Sequence, residues 1–165
     1  MLWRPGRAMS AMIRCAVVML GLWATAAWGT TDLGFAERLA LIERSINSDA
    51  RAAEQQAREI LHGAQAAADD RAAAEAARVL GVALNILGDN AGANAALEQA
   101  WRRFETIGEQ PRLALLRRHQ GVVQYDLGHV DLALEHYLDA LRRFEALGDA
   151  VEAAKTQANI GNVYW

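Results

Sequence analysis

From Thr30 onward, the apolar and polar residues follow the period of an amphipathic helix. Charged and apolar residues interleave at steps of three and four, and no stretch alternates at the period of two that a half-buried strand needs. Ala, Leu, Arg, Glu and Gln are abundant and favour helix, and Pro111 is the only proline in this part. The pattern predicts an all-α chain, with helices at 34–47, 50–67, 71–87, 91–106, 112–127, 130–146 and 150–164.

Short stop signals separate the predicted helices. In Leu87-Gly88-Asp89, the glycine can adopt the positive φ of a helix C-terminus and the aspartate can cap the next helix. Gly128 and Gly148 repeat the signal, and no low-complexity linker interrupts the chain. We therefore expect a single helical domain.

The sequence also repeats itself at a period of forty residues. Arg-Arg-Phe-Glu occurs at 102–105 and again at 142–145, and Leu-Gly occurs at 87–88 and 127–128. Recurrence at a fixed period of this size indicates an array of one supersecondary unit that cannot bury its apolar face alone. Such arrays present surfaces, and they rarely carry out chemistry.

Small residues recur within each unit. Gly81, Gly121 and Gly161 fall inside predicted helices, where glycine costs about 0.5–1 kcal/mol relative to alanine. A recurring cost predicts a recurring close approach of the second helix of each pair. The residues expected to pack there are Ala93, Ala100, Leu97 and Phe104, and their equivalents Ala133, Ala140, Tyr137 and Phe144.

These positions resemble the tetratricopeptide repeat family over roughly residues 71–165. Its motif residues appear as Leu80, Gly81, Leu84, Gly88, Ala93, Leu97 and Ala100, then as Gly121, Gly128, Ala133, Tyr137 and Ala140, and a third time from Asn159 to Tyr164. The resemblance implies a superhelix of antiparallel helix pairs in which the first helices line a groove. Arg117, Gln120 and Gln124 depart from the pattern. The forty-residue period exceeds the family's usual ~34, which predicts a longer second helix in each pair.

The repeats divide the chain. We expect 30–70 to form a degenerate first helix pair, since Asp49 and Ala53 match Asp89 and Ala93, and 71–165 to hold two complete repeats and the first helix of a third. Solenoids need polar terminal caps. The apolar end of the last helix therefore leads us to expect that the natural sequence continues, and that this chain self-associates through its uncapped last helix.

Residues 1–29 have the order of a secretory signal peptide. Arginines precede an apolar run at 15–23, and small residues follow, with a cleavage site expected before Thr30. A transmembrane anchor is the alternative, but the run is short against the ~20 residues that span a bilayer. Cleavage would change the net charge from -3 to about -6 and remove the only cysteine. We expect an exported, periplasmic protein that binds no nucleic acid.

The period also predicts a candidate ligand groove. Arg38, Arg78 and Arg118 recur at one helix position, and arginine suits carboxylates through bidentate hydrogen bonds. Asn85, Tyr125 and Asn162 fall at other groove-facing positions. One interpretation is a site for an acidic peptide; the other, which we favour, is a solvated stripe paired with Glu37, Glu75 and neighbouring acids. The carboxylate clamp of some family members is not matched, because Val82 and Val122 stand where it uses asparagine.

Other chemistry finds little support in the residues. His129 and His136 lie seven apart and His62 and His119 are remote, without a metal-binding motif, so we expect no metal and no cofactor. There is no nucleophile elbow or phosphate-binding loop.

The leading hypothesis is a non-enzymatic protein- or peptide-binding module. It resembles the extracytoplasmic sensory part of bacterial membrane-bound diguanylate cyclases or histidine kinases, and the repeats themselves would not contact the membrane. A free periplasmic scaffold in envelope assembly is the alternative, and an enzyme hidden in the helices is the least favoured.

Overall fold

A computed structural model describes residues 33–165; the predicted signal peptide and its cleavage site lie outside this range. The described part is all-α, and each observed helix boundary lies within two residues of its prediction. The helices are α1 (Phe35–Ser45), α2 (Ala50–Ala66), α3 (Asp70–Ile86), α4 (Asn90–Ile107), α5 (Gln110–Asp126), α6 (Val130–Leu147) and α7 (Ala150–Val163).

The helices form two rows. Each helix packs against the next one in the chain, as expected for a helix-pair solenoid. The odd-numbered helices also contact one another, α1 with α3, α3 with α5, and α5 with α7. Within the described residues, the backbones of α2, α4 and α6 do not pack against one another. The odd-numbered helices therefore form the inner row of a curved array, and the even-numbered helices form the outer row.

Both ends of the helices are set by repeating local signals. The side chains of Asp49, Asp69, Asp89 and Asp149 each accept a hydrogen bond from the amide three residues on, which caps the following helix. Glu109 and His129 occupy the same place before α5 and α6 without a side-chain cap. Pro111 lies in the first turn of α5, as expected, because a proline there sacrifices no helical hydrogen bond.

The predicted glycine stops Gly88, Gly128 and Gly148 are confirmed, and Gly108 forms a fourth. Gly88, Gly108, Gly128 and Gly148 all have positive φ, between 71° and 83°. The amide that follows each glycine donates to the carbonyl five residues earlier, as Asp89 does to Leu84 at 2.9 Å. Ala68 takes the same left-handed conformation (φ 55°) after α2, at the position that Gly108 and Gly148 hold in later units.

The packing role of the glycines is confirmed in the two complete repeats. A Cβ at Gly81 would lie 2.8 Å from Leu97 Cγ, and a Cβ at Gly121 would lie 2.5 Å from Tyr137 Cδ1. Gly161 has no such neighbour among the described residues, which agrees with the expectation that the third repeat holds only its first helix here. A Cβ there would meet nothing within 4 Å, because no described residue fills the place that Leu97 and Tyr137 take beside α3 and α5.

The remaining core follows the repeat. The small sites Ala93, Ala100, Ala133 and Ala140 are fully buried, and Phe104 and Phe144 are at most 2% exposed. The second helices α4 and α6 each have 18 residues, one more than the first helices α3 and α5. Burial raises the pKa of Tyr137 to about 12.

In the described part of the chain, no helix combines the length and apolar character needed to span a bilayer.

Candidate functional site

An accessible stripe runs along the inner row. Between Ala72 and Asn85, Glu75 and Val82 are the two α3 residues that are not buried, and spacings of three and seven put these positions on one side of the helix. The same positions are accessible on α5, forty residues later. We call this surface the inner face, and count with it the buried Arg78 that lies between its accessible α3 positions. Its residues are Ala72, Glu75, Arg78, Val82 and Asn85 of α3, and Arg112, Leu115, Arg118, Val122 and Tyr125 of α5.

The three candidate arginines do not share one neighbourhood. Arg38 turns toward α2, where its Nη2 lies 3.7 Å from Glu59 Oε2. Arg78 reaches back to Glu43 of α1, and Arg118 reaches forward to Glu152 of α7, with Nη2 donating to Oε2 at 3.0 Å. Each guanidinium therefore already has a carboxylate from another helix.

Arg78 is the most deeply placed of the three. Its side chain is 7% exposed, and its Nε donates to Glu75 Oε2 at 2.8 Å while Nη2 donates to Glu43. Burial alone would lower the pKa of Arg78, but the attraction of Glu75 and Glu43 outweighs it and raises that pKa above its ordinary value. Buried and doubly hydrogen-bonded, Arg78 acts as a structural cation that ties α1 to α3.

Glu75 extends this network to α5. Its Oε1 lies 2.6 Å from Arg112 Nε, although the angle falls short of an aligned hydrogen bond, so the contact is an ion pair. Glu75 thus lies between two arginines, one on its own helix and one on the next. Arg112 and Glu43 were not predicted as site residues. Neither residue type recurs at the forty-residue period. The positions equivalent to Glu43 hold Ala83 and Val123, and those equivalent to Arg112 hold Ala72 and Glu152.

A cavity of about 680 Å³ opens beside this network, between α1, the first turns of α3, and Arg112. Phe35, Leu39 and Ala72 supply apolar walls, and Arg78 and Glu75 line it with charge. The cavity therefore offers apolar contact next to an ionic network whose members already pair with one another.

His119 lies under the field of two of the candidate arginines. It is partly buried on α5, and burial, followed by the charges of Arg78 and Arg118, lowers its pKa well below 6.5. The imidazole is therefore neutral at neutral pH. The repeat could have predicted this burial, because the equivalent positions hold the apolar residues Leu39 and Val79, which are both buried in the core.

The other three candidates, Asn85, Tyr125 and Asn162, mark one edge of the inner row. Asn85 Nδ2 donates to Asp126 Oδ2 of α5 at 2.7 Å and to Asn90 Oδ1 at 2.9 Å. Tyr125 hydroxyl donates to the Asn162 carbonyl of α7 at 3.3 Å. The side chains of Asn85 and Tyr125 thus connect successive helices of the inner row along the edge where those helices end, and Asn162 takes part through its backbone carbonyl.

Together with Glu43 and Glu152, which pair with two of its three arginines, the inner face is a nearly neutral surface. Its arginines are balanced by carboxylates, and Val82, Leu115 and Val122 lie partly exposed between the charged pairs. Within residues 33–165, no group of three or more His, Cys, Asp or Glu side chains could hold a metal ion. The arrangement suits recognition by contact and shape.

No protein-family model matches this chain, and a search of curated proteins also finds no match.

Proposed function

We propose that the chain is a tetratricopeptide-type repeat module that binds a peptide or protein segment and carries out no chemistry of its own. The observation that supports this proposal most strongly is the forty-residue recurrence of accessible positions on the inner face. A solenoid exposes such a surface as one continuous strip, because each unit contacts only its neighbours.

The composition of the inner face favours a segment of mixed character. Partly exposed Val82, Leu115 and Val122 can contact apolar side chains, and the hydroxyl of Tyr125 and the amide of Asn85 add polar groups at the edge. Recognition surfaces commonly combine an apolar centre with a polar rim. The pairing of Arg78 and Arg118 weakens the argument for a strongly acidic ligand, since their charges are already compensated.

The test compares one change on the inner row with a matched change on the outer row. Val122→Arg places a charge on the inner face, and Leu138→Arg places the same charge on α6, where Leu138 is 44% exposed. An array of short peptides is first screened with the unmodified chain to find ligands. We expect Val122→Arg to weaken their binding at least about tenfold, equivalent to about 1.4 kcal/mol, and Leu138→Arg to leave it unchanged.

Circular dichroism of both variants controls for folding. Equal loss of binding in the two folded variants, or no loss in either, would contradict the proposal for the inner face. Failure of every peptide to bind the unmodified chain would count against a peptide-binding role.

For the biological setting, we propose the extracytoplasmic sensory or interaction part of a larger bacterial signalling protein, such as a diguanylate cyclase. The signal-like order of residues 1–29 and the repeat architecture support this proposal. A free periplasmic scaffold is the alternative. Fractionation of the source cells separates them, because a sensory region stays with the membrane whereas a free scaffold is released with the periplasmic fraction.

A further inference from the structure

A cation-rich cluster lies where α4, α5 and α6 meet, away from the inner face. Arg117 of α5 stacks on Trp101 of α4, with its Cζ 4.2 Å from the ring centroid, and its Nε lies 3.1 Å from Asp139 Oδ2 of α6. Its Nη1 also donates to Gln120 Oε1 at 3.2 Å. Two of the three departures from the family pattern, Arg117 and Gln120, therefore form one polar contact that takes the place of apolar packing.

His136 of α6 completes the cluster. Its Nδ1 lies 3.5 Å from Arg117 Nη1, at the outer limit of a hydrogen bond. Because an arginine nitrogen can only donate, this contact requires an unprotonated Nδ1. A proton at Nδ1 would place two donors and two positive charges against each other at that distance.

The local charge balance makes a second cation costly. Arg117, Arg142 and Arg143 all lie within 3.4 Å of Asp139 carboxylate oxygens, so three guanidinium groups share one carboxylate. Burial would raise the pKa of Asp139, but the hydrogen bond and charge of Arg143 and the charges of the other arginines lower it. Asp139 is thus ionised and already occupied.

The charged groups that face His136 are Arg117 from α5 and Glu135 and Asp139 from its own helix, and the third element, α4, contributes the Trp101 ring that Arg117 covers. Burial, followed by the charge of Arg117, lowers the pKa of His136, while Glu135 and Asp139 oppose that shift. The lowering prevails, which agrees with the geometry.

We propose that His136 and Arg117 form a proton-sensitive joint in which a proton on His136 drives Arg117 away from Trp101 and loosens the junction of α4, α5 and α6. The joint connects the last helix of one repeat to both helices of the next. Acidification would therefore change the angle between those repeats, a response that is independent of any ligand on the inner face.

The experiment follows the ring protons of His136 and the indole N–H of Trp101 by NMR across pH 5–8 in the full chain. Signals are assigned by comparison with His136→Gln and Trp101→Phe. We expect His136 to titrate with a midpoint below 6.5 and Trp101 to shift with the same midpoint. In Arg117→Gln the His136 midpoint should rise toward 6.5, and in His136→Gln the Trp101 shift should disappear.

His129→Gln is the matched control, because His129 directly precedes the same helix and its Nδ1 contacts Gln124, not Arg117. It should leave both titrations unchanged. A Trp101 signal that ignores the titration of His136, or that still shifts in His136→Gln, overturns the proposal. So does a His136 midpoint that does not move in Arg117→Gln. An NMR spectrum of each variant at pH 7.5 that shows a folded protein excludes unfolding as the cause of a changed titration.

Discussion

At the scale of single residues, the left-handed turn position shows how closely the backbone constrains the sequence. Glycine holds four of these positions after α3, α4, α5 and α6, where positive φ carries no steric penalty. After α2 the same conformation is forced on Ala68, which is exposed and makes the same turn hydrogen bonds: the next amide, Asp69, donates to Ala64. The strain at Ala68 is therefore a property of the backbone alone.

Ala68→Gly should stabilise the protein. Glycine removes the about 1–2 kcal/mol that a left-handed conformation costs a residue with a Cβ. Its greater freedom in the unfolded chain lowers the free energy of unfolding by about 0.4–1 kcal/mol and so offsets part of this stabilisation. We expect the free energy of unfolding to rise by about 0.5–1 kcal/mol in urea denaturation. The reverse change at the equivalent site, Gly108→Ala, should lower it by about 1 kcal/mol. Stabilisation by both changes, or by neither, would show that the turn is not strained.

At the scale of helices, the close pairs depend on glycines whose roles differ although their spacing is identical. Gly81 and Gly121 leave room for Leu97 and Tyr137, and Gly161 faces open space. Periodicity identified all three positions but could not show which one has a neighbour, because a neighbour belongs to another helix.

Gly121→Ala and Gly161→Ala compare a glycine that packs against another helix with one that does not. The new methyl group at position 121 would overlap the Tyr137 ring, and overpacking of this kind costs about 1–3 kcal/mol. At position 161 the methyl group meets nothing, so alanine should be neutral or add up to about 0.5–1 kcal/mol through its helix propensity. Thermal melts followed by circular dichroism measure both. Equal melting temperatures would refute the role of Gly121 in packing.

The caps of successive helices also differ although their positions repeat. His129 precedes α6 at the place where Asp89 caps α4, yet its side chain makes no capping bond and contacts Gln124 Oε1. His129→Asp should supply the missing acceptor and stabilise the protein by about 0.5–1 kcal/mol. Asp89→Ala, which removes the equivalent cap, should destabilise it by about 1 kcal/mol. Urea midpoints that move in the same direction for both variants would contradict this explanation.

At the scale of the whole molecule, the sequence predicts the architecture much better than it predicts the inner face. Helix boundaries follow from local signals such as Gly88 and Asp89, which act within a few residues of themselves. The pairing of the candidate arginines depends on partners that do not repeat. Glu152, which binds Arg118, stands at the position that holds Arg112 one repeat earlier, and that arginine pairs with Glu75 in the opposite sense. The forty-residue period alone cannot predict that an arginine in one repeat is replaced by a glutamate in the next.

The inner row also contains a histidine, His119, whose protonation makes the stability of the fold depend on pH. His119 stands at the core position of Leu39 and Val79, and its burial and the nearby Arg78 and Arg118 lower its pKa well below 6.5. The unfolded chain protonates this histidine near pH 6.5, while the folded chain keeps it neutral. Below that pH the unfolded state therefore binds more protons, and the free energy of unfolding falls as the pH decreases.

Acid sensitivity should accordingly decrease when His119 is replaced by the residue of the preceding repeat. In His119→Val, the free energy of unfolding measured in urea between pH 7.5 and 5 should decline less steeply than in the unmodified chain, and the slopes of the two curves should converge toward pH 7.5. A smaller slope will remain because the pKa of His136 is also lowered. The exposed His62 serves as the control, and His62→Gln should reproduce the slope of the unmodified chain. If His119→Val loses stability on acidification as steeply as the unmodified chain, the folded protein tolerates a proton on His119, and the arginines beside it do not exclude that charge.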